Sequence, residues 1–93
     1  MTKYKVTYSS SFKKDFKRIK KRNYKLDLLV AVVKKLANGE TLSPKHRDHL
    51  LSGKYIGRHE CHIAPDWLLI YRLIEDKAIL SLSRTGTHSD LFK

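Results

Sequence analysis

Ninety-three residues suffice for one thin-cored domain, a single sheet with a couple of helices, and exclude anything larger. Twenty Lys and Arg against nine Asp and Glu leave a net charge of +11, which points to an anionic partner: nucleic acid, an acidic protein or an anionic membrane surface. The lone cysteine, Cys61, excludes a disulfide framework, and no run approaches the roughly 20 apolar residues of a membrane span.

Lys3 to Tyr8 alternates Tyr4, Val6 and Tyr8 with polar residues, the period of a strand. No continuous apolar segment follows Met1 to Lys5, so no signal peptide is expected. Ser9, Ser10 and Ser11 offer hydroxyls to cap a helix in which Phe12, Phe16 and Ile19 share a face backed by lysines. A second helix, with Asn23 as its expected cap, carries Leu28, Leu29, Val32, Val33 and Leu36 and stops at Asn38-Gly39. Glu40 to Leu51 is irregular around Pro44.

Short strands are expected over Gly53–Gly57 and Arg58–Ile63, with a turn near Gly57. Ala64-Pro65-Asp66 turns the chain into Trp67 to Leu73, the central strand. Glu75 to Lys77 turns it again into Ala78 to Ser83, a last strand with Ala78, Leu80 and Leu82 on one face. Asp90 to Lys93 is too short for more than a turn. The order predicts a single α+β domain over residues 1–93, with a two-helix hairpin laid on a small sheet.

All five histidines, at positions 46, 49, 59, 62 and 88, lie from position 46 onward. Cutting RNA at its own 2′-hydroxyl needs a base for that proton, an acid for the leaving 5′-oxygen and cations for the crowded phosphate. His49, His62 and His88 are suited to carry protons, with Asp66 as a further carrier or as orienter of a histidine. Arg84, Arg58, Lys54 and Arg47 are candidate phosphate clamps, and the helical cations, Lys13 and Lys17 among them, either track phosphates or receive an acidic partner. Each has a plainer reading: Asp66 after Pro65 is ordinary turn chemistry, and His62 alternates with Glu60 on a strand. Phe92 near the terminus is odd as core and suited to stack on a base.

Zinc is not expected. Its potential ligands His59 and Cys61 point away from His62 on a strand, and no C-x₂-C pair or H-E-x-x-H helix occurs. Scattered carboxylates also argue against a two-metal nuclease. No cofactor is called for.

Three segments carry a resemblance: D-H-L-L-S-G at Asp48 to Gly53, H-I-A-P-D-W-L-L-I-Y at His62 to Tyr71, and R-T-G-T-H-S-D-L-F at Arg84 to Phe92. In this order they resemble the YafQ branch of the RelE/ParE superfamily, the messenger-RNA interferases of type II toxin–antitoxin modules. The resemblance implies two N-terminal helices on a small twisted antiparallel sheet, and cleavage of messenger RNA in the ribosomal A site without a metal. It puts catalysis on His49, His62, Asp66 and His88, with Phe92 positioning RNA and Arg84 stabilising phosphate. Glu60 stands where the branch has an acidic residue two places before its central histidine.

The resemblance further implies a cytoplasmic bacterial protein with a cognate antitoxin, contact with DNA only through the antitoxin complex, and no membrane partner. Two alternatives remain: a ParE-like gyrase-inhibiting toxin, and a non-catalytic basic nucleic-acid-binding module.

Overall fold

The structure, a computed structural model, describes residues 2–92. Strand β1 (Lys5–Tyr8) leads into α1 (Ser10–Lys21) and α2 (Leu26–Ala37). Then come β2 (His49–Leu50), β3 (His59–Ala64), β4 (Trp67–Ile74), β5 (Ile79–Gly86) and a one-turn helix α3 (His88–Leu91). The strands lie in the order β1-β5-β4-β3-β2.

The expected α+β architecture holds, with one correction to the sheet. β2, β3, β4 and β5 are antiparallel to their neighbours, but β1 joins the edge parallel to β5, so the sheet is mixed. The tight turns after β3 and β4 force antiparallel pairing there. β1 reaches β5 only through the whole chain, so no turn dictates its direction.

Ser9 caps α1, its hydroxyl accepting from the Phe12 amide at 2.9 Å. Asn23 does not cap α2: it sits in the left-handed region (φ 60°), which its short polar side chain tolerates, and Lys25 precedes the helix without a side-chain cap. The strand expected over Gly53–Gly57 is absent as well. Gly53 and Gly57 both have positive φ, and between them Gly53–Tyr55 forms a 3₁₀ turn. The partner of β3 is instead the two-residue β2, with His49 opposite Glu60. The C-terminal stretch is also more ordered than a turn, since His88 opens α3; Lys93 lies outside the described residues.

Phe12, Ile19, Leu29, Val32 and Leu36 of the helices pack on Cys61, Leu69, Tyr71, Leu80 and Leu82 of the sheet. On the other face Leu68, Ile70 and Leu91 form a smaller cluster, flanked by Leu51 and Tyr55. Trp67 to Tyr71 is buried on both faces, the reason it reads as an unbroken apolar run. This second face of the sheet is only partly covered, and His49, His62 and His88 gather there.

Candidate active site

Alternation along β3 sends Cys61 and Ile63 into the helical core, and so sends Glu60 and His62 to the opposite face. Cys61 is fully buried, and burial pushes its thiol up, away from the thiolate that a nucleophile needs. Register with β2 places His49 beside Glu60. The Pro65-Asp66 turn and the start of α3 bring Asp66 and His88 to the same rim.

One carboxylate oxygen organises the first half of the site. Glu60 Oε1 lies 3.6 Å from His49 Nε2 and 3.7 Å from His62 Nε2. Its side chain is 7% exposed, against 52% for His49, so a buried anion sits beneath an accessible imidazole. Nδ1 of His49 donates to the Arg47 carbonyl at 2.7 Å, which directs Nε2 toward Glu60.

His88 forms the second half, its ring centroid 5.8 Å from that of His62. The Asp66 carboxylate accepts from His88 Nδ1 at 3.1 Å and from its backbone N–H at 3.3 Å. These bonds, the imidazole's foremost, hold the Asp66 carboxyl below its ordinary pKa. With Nδ1 donating, Nε2 of His88 is the nitrogen left for substrate. Phe92, 43% exposed, stands 6.2 Å from the His88 ring and edge-on to Tyr55 at 5.7 Å.

The turn that carries His88 is fastened from two sides. Thr87 and Asp90 form a capping box, and Gly86 makes room for it: at φ 150°, a Cβ there would sit 2.9 Å from Asp90 Oδ2. Asp90 also accepts from Arg22 at 2.8 and 3.2 Å, with Arg18 at 3.5 Å. The Arg22 bond chiefly holds the Asp90 carboxyl well below the usual range. The end of α1 thus grips the base of α3.

The structure therefore brings His49, Glu60, His62, Asp66, His88 and Phe92 together. Arg84 is placed differently from a free clamp. Its Nε and Nη2 donate to the buried carboxylate of Asp15 at 2.6 and 3.2 Å, and Nη1 lies 3.5 Å from the Tyr55 hydroxyl. Arg58 donates from Nε to Ser83 Oγ at 3.2 Å, and Lys54 lies over the Tyr55 ring. Lys13 and Lys17 do not join the histidines; they edge an apolar groove between α1 and α2, in the opposite layer.

Sequence reasoning missed Asp15, Tyr55 and Asp90. Asp15 had a signal, as the lone acid of a basic helix, spaced three and four residues from the buried Phe12 and Ile19. Thr87 and Asp90 have the spacing of a capping box. Tyr55 had no comparable signal.

The expected absence of a metal site was argued from Cys61 and His59, but the atoms that come together are others. Glu60, His62 and His88 each offer a ligand atom, all within 4.8 Å of one another. Two imidazoles and a carboxylate make a donor set that suits a borderline ion such as zinc or copper.

A family model described as the bacterial toxin YafQ of type II toxin–antitoxin systems matches residues 4–93. The mRNA interferase toxin YafQ of Escherichia coli K12 is 36% identical over 88 residues, 94% of each chain. The toxin in the E. coli DinJ-YafQ complex superposes with a TM-score of 0.88 at 35% identity, over 97% of this chain and 99% of that one. A metal-bound toxin from Helicobacter pylori gives 0.89 at 40% identity, over 99% and 100%. With the family model spanning nearly the whole chain and the fold shared throughout, this protein belongs to the YafQ family of bacterial type II toxins.

Proposed function

We propose that this protein is an endoribonuclease toxin that cuts messenger RNA on the ribosome. The carrying observation is the gap between two separately supported proton carriers: His88 held by Asp66, and His62 sharing Glu60 with His49. In this reading the His49–Glu60–His62 group takes the proton of the 2′-hydroxyl. The freed oxygen attacks the neighbouring phosphorus, and the bond to the 5′-oxygen breaks as His88 Nε2 delivers a proton to it. Asp66 keeps the imidazole of His88 turned the right way and stabilises it when charged. Phe92 is exposed enough to stack on a base next to the cut.

The products are a 2′,3′-cyclic phosphate and a 5′-hydroxyl. The protein's own acids and bases carry every proton in this scheme, and an ion held by Glu60, His62 and His88 would occupy the groups that move them. Loaded with metal, the site would supply Lewis-acid chemistry in place of proton transfer.

The same reading gives the toxin a cognate antitoxin, supported by the DinJ-YafQ relatives and by charge, since a +11 surface captures an acidic chain quickly. DNA contact then runs through the antitoxin. Among the described residues no helix is long and apolar enough to cross a membrane, and the proposed place of action is the bacterial cytoplasm, where message is translated.

The test is to induce wild type and His88→Ala in separate cultures and map RNA 5′-ends within minutes. New ends inside translated codons, with wild type only, are expected. Growth arrest with intact message would overturn the reading and direct the search to gyrase.

A further inference from the structure

A second cavity, of about 530 Å³, opens along the β3 edge of the sheet, between α2 and the Pro44–Arg47 segment. That volume lies in the range of small-molecule sites. Its walls are apolar, with Leu28 and Val32 on one side and Ile63 and Pro65 on the other. Lys35, Lys45, His46 and Arg47 supply its polar groups, and no acidic residue lines it. His62 joins this cavity to the proton-carrying cluster: its backbone carbonyl meets His46 on the cavity side, and its imidazole lies beside Glu60 on the other.

We propose that this cavity is a nucleotide subsite for the single-stranded RNA substrate, seating the nucleotide next to the scissile phosphate. An apolar slot receives the faces of a base, and the flanking ammonium and guanidinium groups meet its phosphates. His46 contributes an edge contact. Its Nδ1 donates to the His62 carbonyl at 2.7 Å, which fixes the tautomer and leaves Nε2 as an acceptor for an exocyclic amine. The same bond ties the wall of the slot to the strand that carries His62, so filling the slot and placing the reacting phosphate are mechanically linked. Continuity with the histidine cluster is what favours RNA here over an acidic peptide.

This inference rests on the RNA-cutting reading, and two measurements keep their failures apart. In the first, a 2′-O-methyl RNA trinucleotide, which cannot be cut, is titrated into ¹⁵N-labelled protein. Saturable amide shifts are expected at Lys35, Lys45, His46, Ile63 and Ala64, together with those at His62 and His88. Lys35→Glu with Lys45→Glu should weaken binding tenfold or more, while Lys77→Glu, on an exposed turn elsewhere, leaves it unchanged.

Shifts confined to His49, His62 and His88, no shift at all, or an unweakened double variant would overturn the subsite. So would a response of the slot to an acidic helical peptide and not to RNA. In the second measurement, the wild type and the double variant cut message on programmed ribosomes. The expected result is a tenfold higher KM with kcat kept, and an equal KM would also overturn the subsite. Failure of the wild type to cut would instead count against the RNA-cutting reading itself.

Discussion

His88 and Asp66 show how firmly a largely exposed pair can be held. Their side chains are 55% and 69% exposed, yet two hydrogen bonds, one from the imidazole and one from the backbone N–H, fix His88 against the turn. Asp66→Asn should therefore leave the fold intact and lower the rate of cleavage by roughly 10²-fold, the range of a positioned acid or base. The sign of the pH effect follows from the depressed carboxyl. The Asp66 charge that holds His88 is fully present above its ordinary pKa and is lost only as pH falls through the lower native value. Carbon NMR should find that titration below the usual Asp midpoint, and His88→Ala should move it back up. An unmoved midpoint would mean that His88 does not hold Asp66.

At the scale of elements, the strands and helices with a clear period were legible, and the failures came where backbone geometry overrode the pattern. β4 reads correctly because both its faces are buried. Arg84 shows the limit. Leu80, Leu82 and Arg84 keep a period of two, but the register slips at Ser83, so that Arg84 stands opposite Ile70 and Thr85 turns in toward Trp67. A bulge cannot be read from alternation, and the pairing with Asp15 across 69 residues has no local signal. The candidate site was legible as a set of residues, His49, Glu60, His62, Asp66, His88 and Phe92, but not as two groups, because what divides them is sheet register and the cap of α3.

That cap makes its own prediction. Asp90→Asn removes the charge and one of the two oxygens that join Arg22 to the start of α3, and should lower Tm by about 5 °C, as loss of an ordinary cap does in a domain this size. The deficit is fully present above the ordinary Asp pKa and closes in acid, as wild-type Asp90 itself becomes protonated. Hydrogen exchange at the Leu91 and Phe92 amides, bonded to Thr87 and His88, should quicken first. Unchanged exchange there would mean that α3 is held by the packing of Leu91 instead.

At the scale of the whole molecule, the sheet separates two surfaces. Helices α1 and α2 cover one face, and the groove between them is edged by Lys13, Lys17, Lys20 and Lys34. The other face carries His49, His62 and His88. A partner can thus hold one side of the protein while the other remains open to substrate, and the +11 charge attracts polyanions to both. The central claim concerns the chemistry on the open face, attack by the RNA's own 2′-hydroxyl between two supported proton carriers. The most direct test places on the ribosome a message with a single 2′-deoxy nucleotide immediately 5′ of the cut. The account predicts that the all-ribose message yields a 2′,3′-cyclic phosphate and that the substituted one is not cut at that bond. Cleavage of the substituted message at the same bond would contradict it, because the attacking oxygen would then have come from water.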